Sequence, residues 1–505
     1  MQVTTATSLG RTKTRLERIQ VSPVFVPVAL LFIGSSSLAL YVWGRDLHRF
    51  TQWVAAYIGL FVVQLALYVI ACFVVDRWSC RWSKGSCWMT IALIVFFGAA
   101  SRAILVPQRP YLSSDVYRYT WDGLVQKAGI NPYRYVPEAI ELTELRDDKI
   151  FPNIPREDRE WTSPYPPVAQ LVFLGVAKVC PRSVTAIKTA MAMFDLVSAV
   201  VLMLVLARSG LNPARAIIFA WHPLVIFESA HSGHLEAVYV AFLMIALLAW
   251  SHRQTALAGG ALGLATMVKF YPLLLLPAFF VLARDGRSFS EDNISRKGIW
   301  STASRLINMR NVALLLGLLV TIILAYLPYL DAGGNSFRFV HGYVEEEGFV
   351  HSGARYFFLE LARRIVWIPT PAFMIFGLIL LIVVAMRQLL KEKHGPSDMA
   401  KSSVALIGTY LLLTTPRYSW YYVWLIPFLC FASSAGWLYL TAASVLLYLV
   451  WYTPLVYPQI PGWLGVSIYL PVLIWILRER YIRPKSIEAS VVLGGRGVND
   501  RGMAV

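Results

Sequence analysis

Uninterrupted apolar blocks of membrane-spanning length constrain the fold of this chain more than any other feature. The block from Val24 to Val42 has about 20 residues, enough for an α-helix to cross the roughly 30 Å hydrocarbon core of a bilayer. Comparable blocks follow along the 505 residues, of which 57% are hydrophobic and only 15% are charged, with a mean hydropathy of +0.57. This pattern predicts an all-α, polytopic membrane protein.

The order of the apolar blocks predicts about 14 transmembrane helices. They lie at about residues 24–43, 53–75, 88–106, 185–207, 216–230, 235–251, 255–268, 270–283, 312–330, 369–387, 402–415, 420–434, 436–453 and 463–477. One further block, "YPPVAQLVFLGVAKVC", begins with prolines and has only about 16 residues, which is short for a crossing. We expect it to form a helix along the outer membrane interface.

The distribution of charge predicts the orientation of these helices. The net charge is +17, and the basic residues lie in short linkers such as "RSGLNPAR" and "RERYIRPK". Under the positive-inside rule these linkers and both termini face the cytoplasm, and residues 107–164 form a large outer loop. The same clustering argues against nucleic acid as a partner, and the five scattered cysteines match no disulfide or zinc pattern.

The predicted organisation has five parts. Residues 1–23 form a cytoplasmic N-terminal segment, 24–106 the first transmembrane helices, 107–184 an extracytoplasmic loop with juxtamembrane helices, 185–477 the transmembrane core, and 478–505 a cytoplasmic, disordered tail. Polar and aromatic residues collect at the outward ends of the spans. A candidate site is therefore expected on the outward side.

The stretch "SSDVYRYTWDGLVQ" follows the third predicted span. Four of its residues are spaced i, i+3, i+4 and i+7 and would share one stripe of a helix: Asp115, Arg118, Tyr119 and Asp122. A preceding serine can cap such a helix, and an acid in the first turn is favoured by the helix dipole. Asp115 is therefore either an aid to helix initiation or a general base that takes a proton from an incoming hydroxyl.

A second polar cluster lies in "WHPLVIFESAHSGHLEAV", around the outer end of two predicted spans. Ionisable groups at membrane depth are unfavourable and usually serve a pathway or a ligand. The segment lacks the H-E-x-x-H spacing of a metal site, so we expect no metal. We interpret His234 as a hydrogen-bond donor to a ligand, whereas Glu228 is as consistent with a structural role.

Three cations of the outward side can face an anionic ligand: Lys269, Arg355 and Arg417. Lys269 lies between two apolar runs, so it can equally be an interfacial lysine that extends its amine to the membrane surface. Aromatic residues follow Arg417 in "RYSWYYVW". Such a run occurs at many membrane interfaces, but beside cations it also suits stacking on sugars.

Five segments in the same order resemble a known group of enzymes: "SSDVYRYTWDGLVQKAGINPYRYVPE", "YPPVAQLVF", "WHPLVIFESAHSGHLEAV", "GLATMVKFYPLLLLP" and "RYSWYYVWLIP". From about residue 100 to 430 the chain is similar to the GT-C superfamily of polyprenol-phosphate-sugar-dependent glycosyltransferases. Within it, the chain resembles bacterial alpha-1,6-mannopyranosyltransferases and the related family 87 enzymes.

The resemblance implies transfer of a hexose, with mannose favoured, from a polyprenyl phosphate on the outer side of the bacterial cytoplasmic membrane. It implies Asp115 as catalytic base, in "SSD" where many relatives have two adjacent acids. His234 and Glu236 would contact the donor in "SGHLEA", where Glu236 replaces the usual Asp. Lys269 and Arg417 would hold the donor phosphate. No cofactor or metal is implied, and the acceptor is a glycan, glycolipid or protein.

Two other classes of protein compete with this interpretation. A secondary transporter also has many spans and buried charges, but carriers place these charges near the midplane and often have two related halves. Here the charges gather at the outer ends, and the sequence has no obvious repeat. A membrane scaffold would not need Asp115, His234, Lys269 and Arg417 on one side.

Overall fold

The computed structural model describes residues 22, 24–49, 53–78, 84–283, 304–337, 356–452 and 460–482. All regular secondary structure in these ranges is helical, and they contain no strand. The predicted all-α class is therefore confirmed. Nearly all of the N-terminal segment and of the predicted tail lies outside the described residues.

The α-helices of nine or more residues are numbered in chain order. They are α1 (Phe25–Trp43), α2 (Trp53–Trp78), α3 (Lys84–Leu105), α4 (Asp115–Lys127), α5 (Pro167–Val179), α6 (Val184–Arg208), α7 (Glu236–Ser251), α8 (Thr255–Thr266), α9 (Met309–Tyr326), α10 (Thr370–Leu389), α11 (Pro396–Thr414), α12 (Ala435–Ala443) and α13 (Gly462–Ile482).

Shorter helical pieces connect these helices. The α-helical ones are Arg156–Arg159, Ile217–Ala220, Pro223–Ile226, Leu276–Phe279, Phe357–Arg363 and Ile426–Leu429. The 3₁₀ pieces are Gly44–Arg49, Ile140–Leu145, Phe151–Asn153, Pro213–Ala216, Tyr271–Leu275, Leu327–Phe337, Ser419–Leu425 and Ser444–Tyr452. One piece, Phe227–Ser232, is a π-helix.

Seven helices among the described residues are long and apolar enough to cross a membrane. They are Phe25–Leu47, Val54–Trp78, Gly85–Leu105, Val184–Arg208, Met309–Asn335, Thr370–Leu389 and Gly462–Glu479. The chain is therefore a polytopic membrane protein. The predicted number of about 14 crossings stays a prediction, because the remaining apolar blocks form shorter or broken helices.

Two of those blocks are irregular and buried inside the protein. Every residue of 216–241 and of 419–431 is buried, although each range changes helix type along its length. Prolines divide both ranges, and a proline removes a backbone donor from the helix. Irregular backbone at membrane depth is tolerated where protein surrounds it. The predicted spans 216–230 and 420–434 are thus not continuous α-helices.

The predicted outer loop contains a packed pair of helices, α4 and α5. They approach closely at Gly123, where an added Cβ would lie 2.6 Å from the carbonyl oxygen of Phe173 and 3.1 Å from the Cβ of Ala177. A helix at α5 was expected from "YPPVAQLVFLGVAKVC", and Pro167 opens it in the first turn, where no amide is lost. Its position along the membrane interface stays a prediction.

Glycines bring α8 and α9 into backbone contact. A Cβ on Gly259 would lie 1.9 Å from the carbonyl oxygen of Leu314, and one on Gly317 would lie 2.0 Å from that of Ala256. In a membrane the hydrophobic effect does not drive two helices together. Small residues at such a crossing let the helices approach closely enough for van der Waals packing to hold them. Lys269 lies in the turn that follows α8.

Candidate active site

Asp115 is the first residue of α4, and its carboxylate is about one-third exposed. Ser114 occupies the N-cap position without a side-chain cap bond, whereas the Ser113 hydroxyl accepts from the Asp115 amide at 3.3 Å. The amide dipoles at a helix start favour a negative charge there. Tyr119, one turn later, donates its hydroxyl to Asp115 Oδ2 at 3.4 Å. Asp115, Arg118, Tyr119 and Asp122 thus lie on one helix.

The π-helix and a tight turn place the partners of Asp115. A π-helix inserts one extra residue per turn, and such bulges are frequent at functional sites. Gly233 ends this one at φ +78°, where a Cβ would also lie 2.9 Å from Lys188 Cγ. The His234 amide then donates to the Glu228 carbonyl at 2.9 Å. Glu228 and His234 are thereby held on the same side of the turn.

The His234 imidazole lies between two carboxylates. Nδ1 is 3.6 Å from Asp115 Oδ2, and Nε2 is 3.4 Å from Glu228 Oε2. The imidazole is fully buried, and one face stacks on Trp420 with ring centroids 4.1 Å apart. Tyr448 donates its hydroxyl to the other oxygen of Glu228 at 2.7 Å. The result is a chain of contacts from a buried tyrosine to the partly exposed Asp115.

Positive neighbours set the ionisation of Asp115. Burial alone would raise its pKa, but the close, positively charged imidazole of His234 and the charge of Lys269 hold that pKa below the usual value. Asp158 shows the opposite shift. Burial and the nearby Asp115 raise the pKa of Asp158 to about 6, although Arg118 opposes the shift. Asp115 is therefore the acid that stays ionised as the pH falls.

Lys269 and Glu236 form a buried ion pair beside this group. Lys269 Nζ lies 2.7 Å from Glu236 Oε1, and both side chains are at most 9% exposed. Lys269 also lies 5.0 Å from the ring centre of Tyr421, a distance at which a cation is attracted to the ring. Glu236 opens α7, where the helix dipole favours its charge.

Arg417 and the following aromatic residues border the same group. The Tyr418 and Trp420 rings stack with centroids 4.4 Å apart and planes at 6°, and the Arg417 guanidinium lies 5.6 Å from the Tyr418 ring centre. Since Trp420 also stacks on His234, a row of stacked rings runs from Tyr418 to His234. It links Arg417 to the Asp115 and Glu228 carboxylates on either side of His234. The structure thus brings Asp115, His234, Glu236, Lys269 and Arg417 into one neighbourhood. Arg355 lies outside the described residues.

Arg118 and Asp122 lie in a buried network that joins α4 to its loop. Arg118 Nε pairs with Asp122 Oδ1 at 2.9 Å, and Arg118 also donates to the Trp161 carbonyl at 3.0 Å. Ser163 and Gln170 donate to the second oxygen of Asp122. These contacts stabilise the loop against α4 and α5, which holds the helix that carries Asp115.

Sequence reasoning missed several residues of this neighbourhood. Tyr448 and Asp158 lie outside the quoted motifs and carry no spacing signal. A buried ion pair between α3 and α6 was also missed: Arg102 lies 2.6 Å from Asp195, which accepts from Ser229 of the π-helix at 2.8 Å. Charges inside apolar blocks were the signal that could have found this pair: Arg102 in the block 88–106, and Asp195, together with Lys188, in the block 185–207.

The other histidines of the second cluster have separate surroundings. His222 accepts from the Leu224 amide through Nδ1 at 3.2 Å and so caps a short helix. His231 packs between Tyr111 and Phe227, with both ring centroids 4.2 Å away. Within the part of the chain that the structure describes, no group of three or more His, Cys, Asp or Glu side chains could hold a metal ion. Metal-independent chemistry stays a prediction.

Two family models match the chain over this region. The model described as alpha-(1->6)-mannopyranosyltransferase, N-terminal domain, matches residues 25–285. The model of glycosyltransferase family 87 matches residues 161–416. The first match includes Asp115, His234 and Lys269, whereas Arg417 lies one residue beyond the second. No curated protein and no solved structure matches the chain significantly.

Apolar helices and two matching families of sugar-transferring enzymes define the class: the protein is a membrane glycosyltransferase. Each match spans slightly more than half of the chain, and the two overlap. The chain belongs to the alpha-(1->6)-mannopyranosyltransferase family and, through the overlapping match, to glycosyltransferase family 87.

Proposed function

We propose that the protein moves a hexose, with mannose favoured, from a polyprenyl phosphate donor to a glycan, glycolipid or protein acceptor. The acceptor oxygen bonds to the anomeric carbon as the bond from that carbon to the carrier phosphate breaks. This single displacement inverts the sugar carbon and needs no metal. Asp115 takes the proton of the acceptor hydroxyl as general base.

The placement of Asp115 carries this proposal. Its carboxylate is the partly exposed end of an otherwise buried chain of polar groups, and its pKa is held below the usual value. A general base must be ionised and within reach of the incoming hydroxyl. Since His234 is fully buried between Asp115 and Glu228, its geometry supports orientation of Asp115 more than direct contact with the donor.

The cations and aromatic rings beside Asp115 suit the donor. Phosphate is a good leaving group when preplaced positive charges stabilise its developing negative charge. Lys269 and Arg417 supply such charges within the same neighbourhood, and Glu236 fixes Lys269. Trp420 is buried between His234 and Tyr418, so the half-buried ring of Tyr418 is the one that can offer a flat surface of the kind that sugars pack against.

The proposed placement in the cell follows from charge and hydropathy. Residues 107–184 lie on the extracytoplasmic side of a bacterial cytoplasmic membrane, between the first helices at 24–106 and a core at 185–477. Segments 1–23 and 478–505 face the cytoplasm, and the chain crosses about 14 times. The apolar carrier tail would then reach the site from the bilayer while its phosphate meets the outer cations.

The test of the proposed function is Asp115→Asn, assayed in membranes with a radiolabelled polyprenyl phosphomannose and extracted lipids as acceptors. We expect transfer to fall by about 10²- to 10⁴-fold, because the amide cannot take the proton. Asp148→Asn is the matched control, since Asp148 is an exposed acid of the same loop. Near-normal transfer by Asp115→Asn would overturn the assignment of the base.

A further inference from the structure

We propose that a basic cavity at the end of the molecule remote from the candidate active site binds the phosphate-bearing headgroup of an anionic phospholipid. The cavity has a volume of about 590 Å³ and lies where α6 and α7 end and α8, α9 and α11 begin. Glu236 begins α7 beside the candidate site, whereas Trp250 and Ser251, in the last turn of α7, line the cavity. A 16-residue helix is about 24 Å long, so the two sites are separate.

The charges that line the cavity are mainly positive. The described lining includes one acid, Glu392, and four Lys or Arg side chains: Arg208, Arg253, Arg310 and Lys393. Glu392 is already neutralised, because its Oε1 lies 2.7 Å from the Arg305 guanidinium. Lys393 is committed to the fold, since its buried amine donates to backbone carbonyls. The cavity therefore has an excess of positive charge that no acid of its lining balances.

Arg253 and Arg310 are the two cations of the cavity that the fold does not use. Both are exposed, and within the described ranges neither guanidinium has an ion-pair or hydrogen-bond partner. Arg310 lies in the first turn of α9, where the helix dipole disfavours a cation, so it does not stabilise that helix. An anion in the cavity would pair with both side chains and relieve their mutual repulsion.

The apolar surroundings of the cavity indicate that the anion belongs to a lipid. Met309, which lines the cavity, and the nearby Ile307 are 80% and 83% exposed. An exposed apolar stripe continues from there along α9, with the spacing i, i+4, i+7 and i+11: Val312, Leu316, Leu319 and Ile323. A phospholipid would place its phosphate at the cations and its acyl chains along this stripe, whereas a soluble anion would use the cations alone.

The size and predicted orientation of the cavity suit such a headgroup. Ligand sites for small molecules have volumes of roughly 300–1,000 Å³, a range that includes this cavity. The positive-inside rule places this end of the molecule in the cytoplasmic leaflet, whose anionic lipids make its surface potential negative. Basic pockets between transmembrane helices on that side are known to bind acidic headgroups.

The test is Arg253→Gln combined with Arg310→Gln, in the full chain purified in a neutral detergent and titrated with phosphatidylglycerol. A ligand that binds the folded protein stabilises it by mass action, so thermal unfolding at each lipid concentration gives the half-saturating concentration. We expect this concentration to rise roughly 25-fold, because each basic residue near an anionic lipid contributes about fivefold in affinity. Arg310→Gln alone should raise it about fivefold.

The controls separate lipid binding from a structural role of the two arginines. Without lipid, the double variant should be at least as stable as the wild type, because Arg310→Gln removes a cation from a helix start. A purely structural pair of arginines would lower the melting temperature with or without lipid. Arg134→Gln combined with Arg156→Gln, at two exposed arginines of the outer loop, is the matched control and should leave the titration unchanged.

Equal half-saturating concentrations of phosphatidylglycerol for the wild type and the double variant would overturn the inference. Inorganic phosphate distinguishes the two sources of the anion, and we expect it not to replace the lipid. If inorganic phosphate alone gave the full stabilisation and phosphatidylglycerol added nothing, the ligand would be a soluble anion and the lipid assignment would fail. None of these outcomes depends on sugar transfer, so each leaves the proposed function to its own test.

Discussion

Lys269 illustrates how one residue can serve the fold and the site together. Its amine is paired with Glu236 at 2.7 Å and also contributes positive charge to Asp115. Breaking a buried pair on one side leaves an uncompensated charge, which is strongly destabilising. A role in donor binding can therefore be measured only when Glu236 is neutralised as well.

The expected result for Lys269→Met combined with Glu236→Gln is weaker donor binding in a folded enzyme. A charged hydrogen bond to phosphate is worth about 1.5–3 kcal/mol, so the donor KM should rise roughly 10- to 100-fold. Steady-state kinetics over a range of polyprenyl phosphate sugar concentrations measures this. The single variant Lys269→Met should be less stable than the double one. An unchanged KM in the double variant would limit Lys269 to a structural role.

Sequence reasoning at this scale could choose residues but not their partners. The i, i+3, i+4, i+7 spacing predicted that the four residues would share one stripe if the segment were helical, because neighbours on one helix are fixed by its geometry. The contact of Asp115 with His234 depends on how α4 packs against the π-helix. This packing cannot be predicted from the spacing of residues within one segment. Likewise, Arg118 and Asp122 share a stripe with Asp115 but are committed to loop contacts.

At the scale of elements, hydropathy predicted helices better than it predicted their continuity. The blocks that became α1, α2, α3, α6 and α10 are uniform apolar helices of 19 to 26 residues. The blocks at 216–230 and 420–434 are equally apolar, yet they are broken pieces inside the protein. Lipid and protein interior both favour apolar side chains, so hydropathy cannot separate the two surroundings.

The glycine contact between α8 and α9 gives a prediction at the same scale. Gly317→Ala should destabilise the protein by about 1–3 kcal/mol, since its Cβ would lie 2.0 Å from the carbonyl oxygen of Ala256. The identical change Gly175→Ala, in α5, meets nothing within 4 Å and should be neutral or stabilising by up to about 1 kcal/mol. Thermal unfolding of the full chain in detergent measures both. Equal behaviour of the two variants would refute the close packing.

At the scale of the whole molecule, the two ends of α7 differ in charge. Glu236 and the candidate site, which holds both acids and cations, lie at its start, whereas Arg253 follows its end and Arg208 ends the adjacent α6. A 25-residue α6 extends about 37 Å, which exceeds the hydrocarbon thickness of a bilayer. This asymmetry agrees with the predicted orientation, in which the basic end faces the cytoplasm.

Cys180 allows that orientation to be tested with a native thiol. It is exposed and lies between α5 and α6, in the predicted extracytoplasmic region. In intact cells a membrane-impermeant maleimide should label a variant that keeps Cys180 as its single cysteine. A second variant with Arg253→Cys as its single thiol should be labelled only after the cells are opened. The reverse pattern would place the Asp115 side in the cytoplasm.

The buried pair of Arg102 and Asp195 also sets a condition on biogenesis. The two residues are 93 positions apart, so during synthesis Arg102 enters the membrane before its partner has been made. At about 5–20 residues per second the interval is roughly 5–20 s. An arginine at the centre of a membrane helix adds about 2.5–3.5 kcal/mol to insertion, and Arg102 should add less because it lies in the last turn of α3, closer to water. The ion pair can therefore form only after α6 has been made, and it then joins the first helices of the chain to the core that follows the outer loop.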